Sequence, residues 1–131
     1  MLRIASRLDD DLEALIHQVI GCCLRVHGEL GPGLLEKIYV RAICLELAAC
    51  DMPFEIEKPI DVIYRGTVLC RQRLDIVVAG QLLLEVKAID RLAPVHLAQV
   101  MSYLRVSKLR VGLLMNFNVA ILPHGLRRVV L

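Results

Sequence analysis

The chain has 131 residues, 56% of them from the set AVILMFWYC, with only 4% aromatic and no Trp. That length and composition fit one domain over residues 1–131, filled by a mostly aliphatic core. Sixteen Lys and Arg against 14 Asp and Glu give a formal charge of +2, which neither demands nor excludes a nucleic-acid partner, because a local basic stripe can hide in a neutral total. No run approaches the ~20 apolar residues of a spanning helix, and Met1 to Asp11 lacks the apolar stretch of a secretion signal. A cytoplasmic protein with no membrane partner is expected. Cys22, Cys23, Cys44, Cys50 and Cys70 contain no C-x-x-C pair, and His17, His27, His96 and His124 are dispersed. Neither set has zinc spacing, so reduced packing cysteines are expected.

Asp10 followed by Glu13 predicts a capping box opening a helix. Leu12, Leu15, Ile16, Val19, Ile20, Cys23 and Val26 continue it at three- and four-residue steps to about Leu30. Gly31-Pro32-Gly33 breaks the chain. A second, deeply packed helix is expected from about Leu34 to Ala49, with Lys37 and Arg41 on its wet face. Phe54 to Val62 alternates around Pro59 and predicts an edge-like strand, since proline removes a ladder donor. Thr67 to Val78 and Gln81 to Ala88 predict two more strands. Pro94 opens a helix running to about Ser107, and Lys108 and Arg110 suit its C-terminal end. Val111 to Phe117 reads as a strand covered on both faces, and Arg127 to Leu131 as a short last one. The order is ααβββαβ(β).

Glu85 and Lys87 leave the same face of the third strand, while Leu82, Leu84 and Val86 leave the other. A Glu–Lys pair on a solvated face would explain them. Asp75 on the preceding strand points elsewhere, provided the hairpin sets it opposite Glu85. That register requires a three-residue loop, Ala79 to Gln81, with Gly80 at or near a left-handed position, or a bulge that restores the parity. A two-residue loop would oppose Asp75 to Leu84 on the wrong side. In the required register two carboxylates crowd one face beside an ammonium, an arrangement that a cation stabilises. Incomplete hard oxygen ligation of this kind suits Mg²⁺ or Mn²⁺. Arg71 and Arg73, expected on the strand face of Asp75, are the best candidates for phosphate contact.

Asp75, a nine-residue spacer and Glu85-Val86-Lys87 resemble the PD-(D/E)XK nuclease superfamily. Gly33-Leu34-Leu35-Glu36-Lys37-Ile38-Tyr39 resembles the signature of the GxxExxY family within it. Val26-His27, Arg73-Leu74-Asp75, Gln99 with Tyr103, Val111 to Leu114 and Asn116-Phe117 extend the likeness over most of the chain. Leu74 stands where the superfamily name has proline, a position that is not a ligand. The resemblance implies a restriction-endonuclease-like α/β fold, a mixed sheet of four to five strands flanked by helices. It also implies a divalent-metal-dependent nuclease acting on nucleic acid, with DNA as the expected substrate. Metal would be held by Asp75, Glu85, the Val86 carbonyl and Glu36 on the second helix. Lys87 would activate water and offset negative charge, with Gln99 beside it. Tyr103 would approach nucleic acid, and His27 and Tyr39 would support the site from behind. Two other readings stay open: a nucleic-acid-binding module that keeps the fold without turnover, and a homodimer or larger homo-oligomeric assembly.

Overall fold

The capping signal before the first apolar stripe acts one residue earlier than the spacing suggests. In the structure, a computed structural model that describes residues 8–131, Asp9 rather than Asp10 is the cap. Its Oδ1 accepts from the Leu12 N–H at 2.8 Å. Starting there buries Leu8 and places Asp10, Asp11 and Glu13 in the first turn, where carboxylates face the positive end of the helix dipole. The helix, α1, spans Asp10–Leu30. After the Gly-Pro-Gly turn comes α2 (Glu36–Ala49), which begins at Glu36 and not at Leu34. Glu36 is therefore the first helical residue, beside unpaired helix N–H groups.

Five strands follow: β1 (Phe54–Tyr64), β2 (Thr67–Val78), β3 (Leu82–Lys87), β4 (Val111–Asn116) and β5 (Leu126–Val130), with α3 (Pro94–Ser107) between β3 and β4. They form one mixed sheet in chain order, in which β3–β4 is the parallel pair. Because α3 supplies the crossover that a parallel pair needs, it covers one face of the sheet. Val100 and Leu104 pack there with Leu74, Val77, Leu83 and Leu114. On the other face, α1 and α2 bury Ile76, Val78, Leu82, Leu84 and Val86. Every residue of β4 is buried, as expected of a strand covered on both sides. Pro59 lies on β1, an edge strand, where its missing N–H is tolerated.

The register on which the site depends is present. Ile76 opposes Leu84, Val77 opposes Leu83 and Val78 opposes Leu82, leaving Ala79, Gly80 and Gln81 as a three-residue loop. Gly80 is left-handed at φ 65°, and Ala79 shares that region at φ 53°. The Gln81 N–H closes the turn onto the Val78 carbonyl at 3.0 Å. Among the described residues, no helix is long and apolar enough to cross a membrane.

Candidate active site

Glu85 and Lys87 leave β3 on the side of α3, next to Leu83. Glu85 is buried, 5% exposed, and its Oε1 has no hydrogen-bond partner among the described residues. Its Oε2 lies 3.8 Å from Lys87 Nζ, and the same ammonium donates to Gln99 Oε1 on α3 at 3.2 Å. A buried carboxylate with one orphaned oxygen is costly unless something compensates it. Burial pushes the Glu85 carboxyl up to about 8, Asp75 adds to the rise, and Lys87 opposes it.

Pairing between β2 and β3 is recorded from Val78 to Ile76, so the strands part at Asp75 and Glu85. The inside-outside alternation also breaks there: Leu74 and Val77, an odd number apart, both pack on the α3 side. Across from Asp75, Glu57 is skipped in the β1–β2 register, which also shifts between Val62 and Ile63, and Glu57 holds φ 50°. That is a left-handed conformation that a non-glycine residue adopts only where surroundings impose it. The Asp75 side chain turns into the gap, where its Oδ2 accepts the Val86 N–H at 2.9 Å. Burial raises the Asp75 carboxyl above its ordinary range; Val86 and Lys87 act against this, and Glu57 with it. Glu57 is thus a fourth carboxylate at the site. In the sequence it is an ordinary polar position on an alternating strand, with no signal marking it out.

Glu36 approaches from the α1–α2 layer. Its carboxyl is raised by burial and by Asp75, and lowered by Lys87. The turn before it is tied down from inside: Tyr39 Oη donates to the Gly31 carbonyl at 2.6 Å and accepts the Leu34 N–H at 3.1 Å. Tyr39 is fully buried and stacks on Phe117 with ring centroids 4.7 Å apart. His27 Nε2 meets the Val119 carbonyl at 2.8 Å. Tyr39 therefore fixes the turn that launches Glu36, while the His27 side chain ties α1 to the segment after β4. Glu36, Glu57 and Asp75 line a cleft of about 360 Å³ together with Lys37 and Arg41. The cationic pair had read as a solvated helix face, yet it overlooks the site.

Asn116 was legible only as part of a motif; its position explains it. It pairs with Lys87 across β3–β4, is 1% exposed, and its amide grips both backbone groups of Ile89, at 3.0 and 2.9 Å. This holds the chain immediately after Lys87. Asn116→Leu removes the partner of the Ile89 N–H and leaves the Ile89 carbonyl only its 3.3 Å contact from Asn118 Nδ2; it is expected to cost about 2 kcal/mol, measurable as a lower urea midpoint at unchanged slope.

On α3, Gln99 and Tyr103 lie one turn apart over the same strands. Tyr103 is half-buried; its hydroxyl is raised by burial and by Glu85 and Asp75, while a Gln99 hydrogen bond opposes this. Both line a groove of about 490 Å³ with Cys70 and Gln72. With Cys70, Gln72 and Leu74 facing α3, alternation sends Arg71 and Arg73 out of the opposite face. The alternation of β2 breaks between Leu74, packed on the α3 side, and Ile76, packed on the other, with Asp75 lining the cleft beside α2. Arg71 is engaged by Asp61 at 2.9 Å, and Arg73 is exposed.

The structure thus brings Glu36, Asp75, Glu85, Lys87, Gln99 and Tyr103 to one place and leaves Arg71 at its periphery. Among the described residues no three His, Cys, Asp or Glu side chains are grouped closely enough to hold a metal ion by themselves. The donor set nonetheless fits a hard cation that keeps water and substrate oxygens in its shell. Its candidate side-chain donors are all carboxylates, and one buried oxygen lacks a partner among the described residues. A family model described as the PD-(D/E)XK nuclease superfamily matches residues 13–129. No curated protein and no solved structure matches the chain.

Proposed function

The chain belongs to the PD-(D/E)XK nuclease superfamily, and on that premise we propose that it hydrolyses phosphodiester bonds of DNA using Mg²⁺ or Mn²⁺. The observation that carries the reading is the orphaned Glu85 Oε1, buried against Asp75 with Lys87 alongside. Asp75, Glu85 and the Val86 carbonyl are the proposed metal ligands, and Glu36 holds the ion directly or through water. When bound, the ion supplies Lewis-acid stabilisation of phosphate charge and a more acidic water. Lys87 donates hydrogen bonds to the attacking water or to a non-bridging phosphate oxygen. Gln99, accepting from Lys87 at 3.2 Å, keeps the ammonium aimed and leaves its other protons free. Tyr103 borders the groove through which a strand would leave. The Gly33 to Tyr39 segment supports a finer place in the GxxExxY family, with Gly33 and Tyr39 setting the start of the helix that presents Glu36.

Lys37 and Arg41 supply the phosphate contacts nearest the ligands, since both line the cleft with Asp75. The double variant Lys37→Ala, Arg41→Ala is expected to bind DNA about tenfold more weakly, with a salt slope reduced by roughly two. Fluorescence anisotropy across a salt series reads both quantities. Turnover is tested with the intact chain on single-stranded, duplex and branched DNA and on RNA, under chelator, Mg²⁺ or Mn²⁺. Cleavage of DNA that needs metal and disappears in Asp75→Asn supports the reading. Cleavage persisting in Asp75→Asn, or none at all when anomalous scattering shows Mn²⁺ seated at the carboxylates, removes it.

A further inference from the structure

Away from the carboxylates, the α1–α2 hairpin holds two thiols and a guanidinium in mutual contact. Cys22 Sγ and Cys50 Sγ are 3.9 Å apart. Arg25 Nη2 lies 3.3 Å from the first and 3.6 Å from the second, and Arg25 Nε is anchored to Glu46 Oε1 at 2.8 Å. Cys22 belongs to α1, whereas Cys50 is the residue that ends α2. The sulfurs come from different elements, and only the packing of the two helices brings them together. We propose that Cys22 and Cys50 are an oxidisable dithiol that closes into a disulfide across the α1–α2 hairpin on exposure to a peroxide.

Geometry distributes the roles. Cys50 is exposed and Cys22 is buried, so Cys50 meets the oxidant. Burial, with Cys50 adding to it, pushes the Cys22 thiol up to about 11, which keeps it protonated until its partner changes. A thiolate is the reacting form of cysteine, and at Cys22 Arg25 acts against the rise that burial causes. The Cys50 thiolate attacks one peroxide oxygen; the O–O bond breaks, hydroxide leaves, and Cys50 carries a sulfenic acid. Cys22 then loses its proton beside Arg25 and attacks the Cys50 sulfur. The S–S bond forms as the S–O bond breaks, and the departing hydroxide takes up the Cys22 proton as water. Two thiols and one hydrogen peroxide thus give one disulfide and two waters, the sulfurs losing the two electrons that the peroxide gains. Bond formation shortens the sulfur separation to about 2.05 Å, a movement of the order that side-chain rotation at an exposed helix end supplies.

The other thiols are poorer partners. Cys23 is buried, with its thiol pushed up to about 12 by burial. Cys44 is half-buried, and Cys70 is exposed on β2. The cross-link pins the end of α2 opposite Glu36, 14 helical residues away and therefore about 21 Å along the axis. The expected consequence is a firmer hairpin, with metal ligation at the carboxylates untouched.

The reduced, intact chain is treated with a small excess of hydrogen peroxide, alkylated, and analysed by thiol titration and peptide mass spectrometry. Two of the five thiols should be lost in a Cys22–Cys50 linked peptide, and dithiothreitol should restore them. The oxidised chain should melt about 5–10 °C higher. Cys50→Ser, an exposed position chosen to leave the fold intact, should abolish the linked peptide, and Arg25→Met should slow its formation roughly tenfold. Accumulation of sulfinic acid on Cys50 with Cys22 still free would overturn the proposal. Cross-links between chains through Cys50 or Cys70 in place of the internal one would do the same.

Discussion

Lys87→Ala should lower the rate of DNA cleavage about a thousandfold or more while changing DNA affinity no more than about threefold. The estimate follows from what the ammonium can do. A single preorganised donor aimed at developing charge contributes about 3–4 kcal/mol in a site shielded from water, and loss of help with proton transfer from the nucleophile adds to it. Lys87 is shielded, its side chain only 18% exposed, and it is the cation lying against Glu85. Binding depends instead on cations spread along the phosphate track, so one buried lysine removes little of it. Lys87→Arg is expected to fail almost as badly. The planar fork cannot keep both the 3.2 Å contact to Gln99 and a direction toward the Asp75–Glu85 gap. Gln99→Ala should be milder, roughly tenfold, because it loosens the aim of the ammonium without removing it. Single-turnover assays separate chemistry from binding. Cleavage by Lys87→Ala within tenfold of the wild-type rate would mean that the ammonium has no part in the chemistry.

Much of this arrangement is legible in the sequence because it follows from short-range rules. The odd-length Ala79–Gln81 loop sets the β2–β3 register from Val78–Leu82 to Ile76–Leu84 and so brings Asp75 and Glu85 to the point where the strands part. Three- and four-residue steps mark α1, and Pro59 marks an edge. What stayed hidden is tertiary in origin. Nothing local announces that Glu57 adopts φ 50°, because a side chain in that region is held there by neighbours and not by its own preference. The same irregularity breaks the alternation of β2 between Leu74 and Ile76, which a two-residue period does not foresee. Lys37 and Arg41, spaced as a wet helix face, border the cleft only because β1 and β2 run past them. Asn116 sits in an apolar run, and its role appears only once Ile89 is known to fold back against it.

Glu85→Gln should stabilise the metal-free protein at pH 8 by a few kcal/mol while destroying metal binding there. Burial, followed by Asp75, raises the Glu85 carboxyl in the folded chain to about 8, against about 4.3 for an unperturbed glutamate. Below about pH 4 both states hold the proton and the group contributes no difference. Between about pH 4.3 and 8 the unfolded chain releases the proton while the folded chain keeps it, so stability falls as pH rises. Above about 8 the penalty is complete. At about 1.4 kcal/mol per unit, a gap of this size corresponds to a few kcal/mol, equivalent to a melting temperature lower by about 10 °C. Asp75 and Glu36 are shifted in the same direction, which reinforces the slope. A divalent cation binds the ionised carboxylates, so Mg²⁺ should raise the melting temperature strongly at pH 8 and weakly at pH 5.5. Glutamine keeps the shape, carries no charge to desolvate, and should flatten both dependences. If Glu85→Gln were instead less stable than wild type at pH 8 without metal, the Glu85 carboxylate would have to be satisfied within the protein. The case for a cation at Asp75 and Glu85 would then lose its physical ground, because the site would have no unmet demand for one.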